Sequence, residues 1–204
     1  MRLGRQVRVL AVMIGAAMVM AVAPAGPPTV MTSDGVMVLG YPRAKVTVTE
    51  FASVGCPHCA HWAHTVYPRF KVKYIDTGRV RFAFHEMLTG DGALAAAGFL
   101  LARCAGPAEY FHVVDQVFAQ QNEIIAKGGP VLMAIGKSAG VVDARFKSCL
   151  SDDAALKALG ERTDADAKAH NVIGTPTFLV NGVKVPGDSA LADFDAAIAH
   201  AKRP

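Results

Sequence analysis

Apolar and polar positions follow a strand-like pattern in the first third of the chain. A short apolar piece at 36–39, closed by a turn at Gly40-Tyr41-Pro42, precedes a β-branched run at 45–51 that predicts a strand. Apolar positions then recur with helical spacing from Pro57 to Phe70, and 80–84 predicts a second strand. The order strand, helix, strand is typical of an α/β protein.

From 91 to 171 the apolar positions keep a helical spacing throughout. Turn-forming residues divide this block into a predicted four or five helices; they are Gly106-Pro107, Gly128-Gly129-Pro130, Gly140 and Ser151. A block of about 80 residues without strands, placed between strand-forming segments, predicts a helical insert in the α/β core.

Strand character returns after the helical block. The run 177–180 is followed by Asn181-Gly182, a two-residue hairpin signal, and by 183–185. A last helix is predicted at about 189–201. We therefore expect a core built from 26–90 and 172–204, interrupted by the insert at 91–171.

The first 25 residues have the layout of a secretory signal. Three arginines precede an apolar run at 9–23, and Ala23-Pro24-Ala25 offers a small-x-small cleavage site before Gly26. An uncleaved membrane anchor is the alternative, although the run is short for a span of about 20 residues. We expect residues 1–25 to be removed, leaving no integral membrane segment, and the protein to act in the periplasm.

Composition excludes two classes of protein. A hydrophobic content of 52 % is too high for a disordered chain, and only 19 % of residues are charged, without a basic run that could bind nucleic acid. Removing the three signal arginines lowers the formal charge from +4 to +1. The small net charge that remains therefore predicts no acidic partner.

Candidate chemistry lies at Cys56-Pro57-His58-Cys59, directly after the 45–51 strand. Proline suits the first helical position, so Cys56 is expected at the N-cap, where free N–H groups and the helix dipole favour a thiolate. A protonated His58 would add positive charge near the same sulfur. We predict that Cys56 is the exposed nucleophile and Cys59 the resolving thiol.

At this motif the chain resembles the DsbA-type proteins of the thioredoxin superfamily, which carry the same Cys-Pro-His-Cys. The resemblance implies a thioredoxin fold with an inserted helical domain, and Pro57-His58 is the pair found in oxidants of disulfide bonds. It also implies an enzyme, a protein thiol:disulfide oxidoreductase, that needs no cofactor or metal. Its substrates would be exported proteins with free cysteines.

Three further residues are assigned by the same resemblance. Thr175-Pro176 is similar to the cis-proline loop that faces the disulfide and pairs with substrate backbone, and Glu50 matches the buried acid that accepts a proton from Cys59. The resemblance further implies a monomer that a quinone-linked membrane protein of the DsbB type reoxidises. Thr175 is the residue of the isomerase branch, so a disulfide isomerase or reductase is the nearest alternative.

A metal-binding module is a more distant alternative. Cys56 and Cys59 with His61 and His64 supply four ligands of the type that zinc prefers, but on one helix they would point in different directions. A holdase with an apolar groove is a third possibility.

Cys104 and Cys149 both fall in the helical block. They could be two buried free thiols, but export to an oxidising compartment favours a structural disulfide between them. We therefore expect a structural bond rather than a second redox pair.

Overall fold

The computed structural model describes residues 26–185 and 190–201, so the predicted signal at 1–25 lies outside it. Its strands form one mixed sheet of six: β1 (Thr29–Met31), β2 (Met37–Leu39), β3 (Val46–Ala52), β4 (Val80–Glu86), β5 (Thr177–Val180) and β6 (Val183–Val185). The strand order is β1-β2-β4-β3-β5-β6. Only the β3–β4 pair is parallel among these neighbours, and it lies at the centre.

Within the described residues, helices follow β3, β4 and β6. They are α1 (Pro57–Thr65), α2 (Tyr67–Phe70), α3 (Gly92–Ala105), α4 (Tyr110–Ala119), α5 (Gln121–Lys127), α6 (Gly129–Ser138), α7 (Asp143–Leu150), α8 (Asp153–Ala169) and α9 (Leu191–Ala201). Within this part of the chain, none of the helices is long and apolar enough to cross a membrane. The insert predicted at 91–171 corresponds to α3–α8.

The structure corrects the sequence prediction in three places. The helical block contains six helices rather than four or five, because α4 and α5 separate at Gln120 without a glycine or proline. The segment predicted as one helix from Pro57 breaks at Val66, two residues before Pro68, which lacks the N–H that would continue the helical hydrogen bonds. A π-helical turn at Lys71–Ile75 then completes it, and β1 was not predicted.

An aromatic cluster fills the space between the sheet and the helices that flank it. The ring centroids of Trp62 on α1 and Phe178 on β5 are 4.6 Å apart. The ring centroid of Phe194 on α9 lies 5.1 Å from those of both Phe178 and Phe70. These rings are buried. Their burial fixes α1 on the sheet, and with it the position of the Cys56 motif at the start of that helix.

The insert is held internally by a disulfide and attached to the sheet by a buried ion cluster. Cys104 of α3 and Cys149 of α7 are bonded, with a Cα–Cα distance of 6.1 Å. Closing a loop of this length contributes about 4 kcal/mol in the chain-entropy model. Glu86, at the end of β4 and 3 % exposed, accepts bidentate hydrogen bonds from Arg103 at 2.7–2.9 Å and one from Tyr110 at 2.9 Å.

Candidate active site

Cys56 lies at the N-cap of α1, as the sequence predicts, with an extended backbone (φ −97°, ψ 123°) and Pro57 as the first helical residue. The strand β3 ends at Ala52, so only three residues separate the sheet from the cysteine. Pro57 and His58 are exposed, whereas Cys56 is 6 % exposed. The first cysteine is therefore buried rather than exposed as the sequence predicted, because the loops around it cover the thiol; it lies next to the exposed Pro57 and His58, at the positive end of the helix dipole.

The two thiols of the motif differ strongly in acidity. A hydrogen bond donated by the Cys59 thiol, with further ones from the Thr175 side chain and the backbone N–H groups of Cys59 and His58, lowers the pKa of Cys56 to about 5 against the opposing effect of burial. His58 thus acts through its backbone, while its imidazole faces outward. Donating that hydrogen bond, together with burial and the nearby Glu50, raises the pKa of Cys59.

Glu50 lies on the central strand β3, beneath the cysteines and 3 % exposed. Its Cα partners in the sheet are Phe84 on β4 and Phe178 on β5, so its strand neighbours are apolar. Burial, with the additional negative charge of Asp115, raises the pKa of Glu50 well above its ordinary value. This environment favours the protonated form of the carboxyl, so Glu50 is suited to holding a proton beside Cys59.

The loop before β5 faces the nucleophile. The Thr175–Pro176 peptide bond is cis, and the backbone oxygen of Thr175 lies 3.4 Å from Cys56 Sγ. The Thr177 hydroxyl donates a hydrogen bond of 2.7 Å to the Gly174 carbonyl and closes the turn. The structure therefore brings Thr175 and Pro176 to the cysteine motif across 119 residues of sequence.

A second loop, after β4, supports this site and was missed by sequence analysis. The Thr89 and Thr175 hydroxyl oxygens are 2.6 Å apart, and the Ser53 hydroxyl donates to the Thr89 carbonyl at 2.8 Å. The Gly55 carbonyl accepts a hydrogen bond of 3.0 Å from the Asp91 N–H. Isolated Ser and Thr residues in loops carry no signal of such pairing, so only the folded chain reveals it.

Gln121, the first residue of α5, ties the insert to the active-site loop. Its side-chain amide is buried and donates hydrogen bonds to the carbonyls of Val54 at 2.8 Å and Cys56 at 3.2 Å. Both carbonyls flank the nucleophile. Sequence analysis placed this residue in the helical block without a role.

The histidines of α1 do not join the cysteines in a metal site. His61 and His64 are exposed on the helix, while Cys59 is fully buried. Across residues 26–185 and 190–201, no three His, Cys, Asp or Glu side chains lie together in a way that could hold a metal ion. The four-ligand zinc arrangement considered from the sequence is not formed.

The comparisons with known proteins agree on one family. A family model described as thioredoxin matches residues 32–200. A Rickettsia bellii protein named as a protein-disulfide oxidoreductase is 36 % identical over 172 residues, which cover 81 % of this chain and 66 % of that protein. The disulfide bond formation protein D of Bacillus subtilis is 28 % identical over 79 % of this chain and 73 % of its own length. The chain spans less than two thirds of the Rickettsia relatives, 58 % in Rickettsia prowazekii.

Solved structures agree on the fold. The crystal structure of Wolbachia pipientis α-DsbA1 has a TM-score of 0.74 at 23 % identity and covers 83 % of this chain and 92 % of its own. BdbD from Bacillus subtilis has a TM-score of 0.62 at 22 % identity, with coverages of 86 % and 96 %. These similarities confirm the predicted thioredoxin fold with an inserted helical domain.

Proposed function

Because the chain belongs to the thioredoxin family and shares the fold of DsbA-type oxidoreductases, we propose that it is a thiol-disulfide oxidoreductase that donates a disulfide from Cys56 and Cys59 to other proteins. The observation that carries this proposal is the contrast between the two thiols. One is acidic and keeps a small exposed fraction, 6 %, whereas the other is 0 % exposed and a poor acid. A nucleophile needs the low pKa, and a resolving thiol needs to stay protonated until it attacks.

The geometry suggests the following sequence of events. A substrate thiolate attacks Cys56 Sγ of the oxidised pair, the S–S bond breaks, and Cys59 leaves and takes up a proton. A second substrate cysteine then attacks the substrate sulfur of the mixed disulfide, which oxidises the substrate and releases Cys56 as a thiolate. Thr175 offers its backbone to an extended substrate segment, and Glu50 exchanges the proton with Cys59.

The low pKa of Cys56 favours the direction of donation. A cysteine whose pKa lies about four units below 9.0 is mostly ionised at pH 7, and this ionisation stabilises the reduced protein. Stabilising the reduced form raises the reduction potential, which makes the disulfide easier to transfer to a client.

Location and partners follow from the proposed chemistry. The protein acts in the periplasm after removal of residues 1–25, on exported proteins with free cysteines, and works as a monomer. A quinone-linked membrane protein of the DsbB type restores its disulfide. An oxidising compartment is also where the Cys104–Cys149 bond would persist.

The proposal is tested by oxidative refolding of a reduced client that needs two disulfides. The oxidised protein should supply them stoichiometrically. When the client is offered with its disulfides already formed, the Cys56 thiolate of Cys59→Ser should attack one of them and accumulate a mixed disulfide, since the resolving thiol is missing, and Cys56→Ser should form none. Cys104→Ala/Cys149→Ala is the matched control and should still transfer a disulfide. Failure of the oxidised wild type to oxidise the client would refute disulfide donation.

The same assay separates the isomerase alternative, which Thr175 favours. An isomerase would be most active in its reduced form on a client with scrambled disulfides. Faster rescue of that client than of the reduced one would reassign the direction of transfer while leaving Cys56 as the nucleophile.

A further inference from the structure

The proposed reaction requires one proton to move between the buried Cys59 thiol and solvent. Cys59 gains a proton when its sulfur leaves and loses it when it attacks, yet its side chain is 0 % exposed and Glu50 is only 3 % exposed. Neither group can exchange protons with bulk water directly. A route from Glu50 to the surface is therefore required for turnover.

A small cavity lies beside Glu50 and extends toward the surface. Its volume is about 10 Å³, close to the minimum that one water molecule needs. Most of its lining is apolar, contributed by phenylalanines of β4 and α4. The polar groups in the lining are Glu50, Trp62, Tyr67 and Asp115.

Two of these groups are buried donors that have no hydrogen-bond partner. Trp62 Nε1 and Tyr67 Oη bond to nothing within the part of the chain that the structure describes, although both residues are more than nine-tenths buried. Buried polar groups are normally paired, and an unpaired one costs about 1–3 kcal/mol. A water in the cavity would give these donors a partner.

Asp115 of α4 occupies the outer end of the lining. It is exposed to solvent, in contrast to Glu50 at the inner end. Its carboxyl is nevertheless surrounded densely enough by protein that desolvation raises its pKa to about 7. A group that titrates near neutral pH and reaches both the cavity and solvent is suited to exchanging protons.

We infer that Asp115 is a proton-relay residue, which passes the Cys59 proton between Glu50 and solvent through a water held by Tyr67 and Trp62. This rests on the proposed disulfide exchange. When Cys59 attacks the mixed disulfide, its proton moves to the Glu50 carboxylate, then through the water to Asp115 and out, while its electron pair forms the new S–S bond and the partner leaves as a thiolate. The reverse order delivers a proton when Cys59 leaves.

The charged groups around the relay are few. Lys71, on the π-helical turn, is the cation that lowers the pKa of Asp115, and it also pairs with Asp76 at 2.6 Å. The Tyr67 hydroxyl feels the negative charges of Asp115, Glu50 and Asp76, and burial raises its pKa well above the ordinary value. Tyr67 therefore stays protonated and can donate to a water throughout the working pH range.

The test isolates the step in which Cys59 attacks. Reduced protein is mixed with increasing oxidised glutathione, quenched in acid and analysed by mass spectrometry. Formation of the Cys56–glutathione mixed disulfide and its resolution by Cys59 are then followed separately. We expect Asp115→Asn to leave the first step unchanged and to slow the second by about a hundredfold, the low end of what proton transfer by a positioned side chain contributes. The loss should shrink as pH rises and hydroxide replaces the relay.

Further measurements distinguish a relay from a structural effect. The equilibrium constant with glutathione should change far less than the rate in Asp115→Asn, because a path changes both directions equally and only the effect of the Asp115 charge on Glu50 is left. Formate, a small weak acid, should restore part of the rate. Tyr67→Phe should also slow resolution while leaving stability equal or higher, because it removes an unpaired hydroxyl. Asp143→Asn, an exposed aspartate on α7, is the matched control and should change neither step.

The outcomes separate the two proposals. Normal resolution in both Asp115→Asn and Tyr67→Phe, with normal reaction of Cys56, would overturn the relay alone. A shifted equilibrium without rescue by formate would also overturn it, in favour of a structural role. A wild-type Cys56 that does not react with oxidised glutathione would instead overturn the proposed function.

Discussion

Lowering the pH should erase a stability advantage that ionised Cys56 gives to the reduced protein. The folded-state pKa of about 5 lies below the ordinary 9.0, so the thiolate contributes fully above about pH 9, partly at neutral pH, and nothing once pH has fallen through 5. Two units of separation at pH 7 correspond to about 2.7 kcal/mol, and the full four units to about 5 kcal/mol. Screening by the solvent close to Cys56 reduces both figures.

Cys59 leaves this window undisturbed. Its folded-state pKa is raised above that of the unfolded chain, so its effect on stability begins only where an unfolded thiol ionises, near pH 9. The difference in unfolding free energy between reduced and oxidised protein should therefore change between about pH 4 and pH 8 through Cys56 alone.

The assay is urea unfolding of both redox forms across that range, paired with ultraviolet titration of the thiolate. The disulfide's own contribution to stability is a constant offset between the two curves. The Cys56→Ala variant cannot form the disulfide, so its unfolding free energy is compared with that of the oxidised wild type. This difference should lack the pH-dependent part. A thiolate midpoint above pH 7, or a reduced-minus-oxidised difference that does not vary with pH, would refute the assignment of Cys56 as the ionised thiol.

Three further changes test the framework of the site. Gln121→Leu leaves the Val54 carbonyl unpaired and removes one of two hydrogen bonds to the Cys56 carbonyl, which keeps the one from the Ala60 N–H. It should lower the unfolding free energy by about 1–3 kcal/mol in urea, with an altered thiolate titration; an unchanged protein would contradict its bracing role. Glu86→Gln strips the charge facing Arg103 and should cost about 3 kcal/mol or more by the same measurement. Gly55→Ala would place a Cβ 2.1 Å from the Asp91 carbonyl and should abolish folding by circular dichroism, whereas Gly160→Ala, with open space around it, should stabilise α8 by about 0.5–1 kcal/mol.

Local sequence signals were sufficient to predict features that depend on the conformation of adjacent residues. Pro57 after Cys56 predicted the N-cap, and Asn181-Gly182 predicted the hairpin between β5 and β6 because both residues adopt positive φ, 46° and 83°. The Asn181 side chain adds a hydrogen bond of 2.8 Å from the Thr47 N–H, which locks the hairpin to β3. These features depend on the conformational preferences of adjacent residues.

The missing parts depend on contacts between distant segments. Gln120 separates two helices without a breaking residue, and β1 is three residues long with no alternation to detect. Asp115 and Thr89 reach the site only because α4 and the loop after β4 pack beside α1 and the cis-proline loop. A polar residue on a helix gives no hint of the cavity it will line, so these assignments required the structure.

The spread of these contacts along the sequence bears on how the reactive thiol matures during synthesis. Cys56 is translated 65 residues before Gln121, which hydrogen-bonds to its loop, and 119 residues before Thr175, one of the groups that lower its pKa. An incomplete chain therefore lacks both of these contacts, whereas Cys59, the largest contributor to the lowered pKa, lies only three residues away. The last contribution to the acidity of Cys56 therefore comes only when nearly the whole polypeptide has been made.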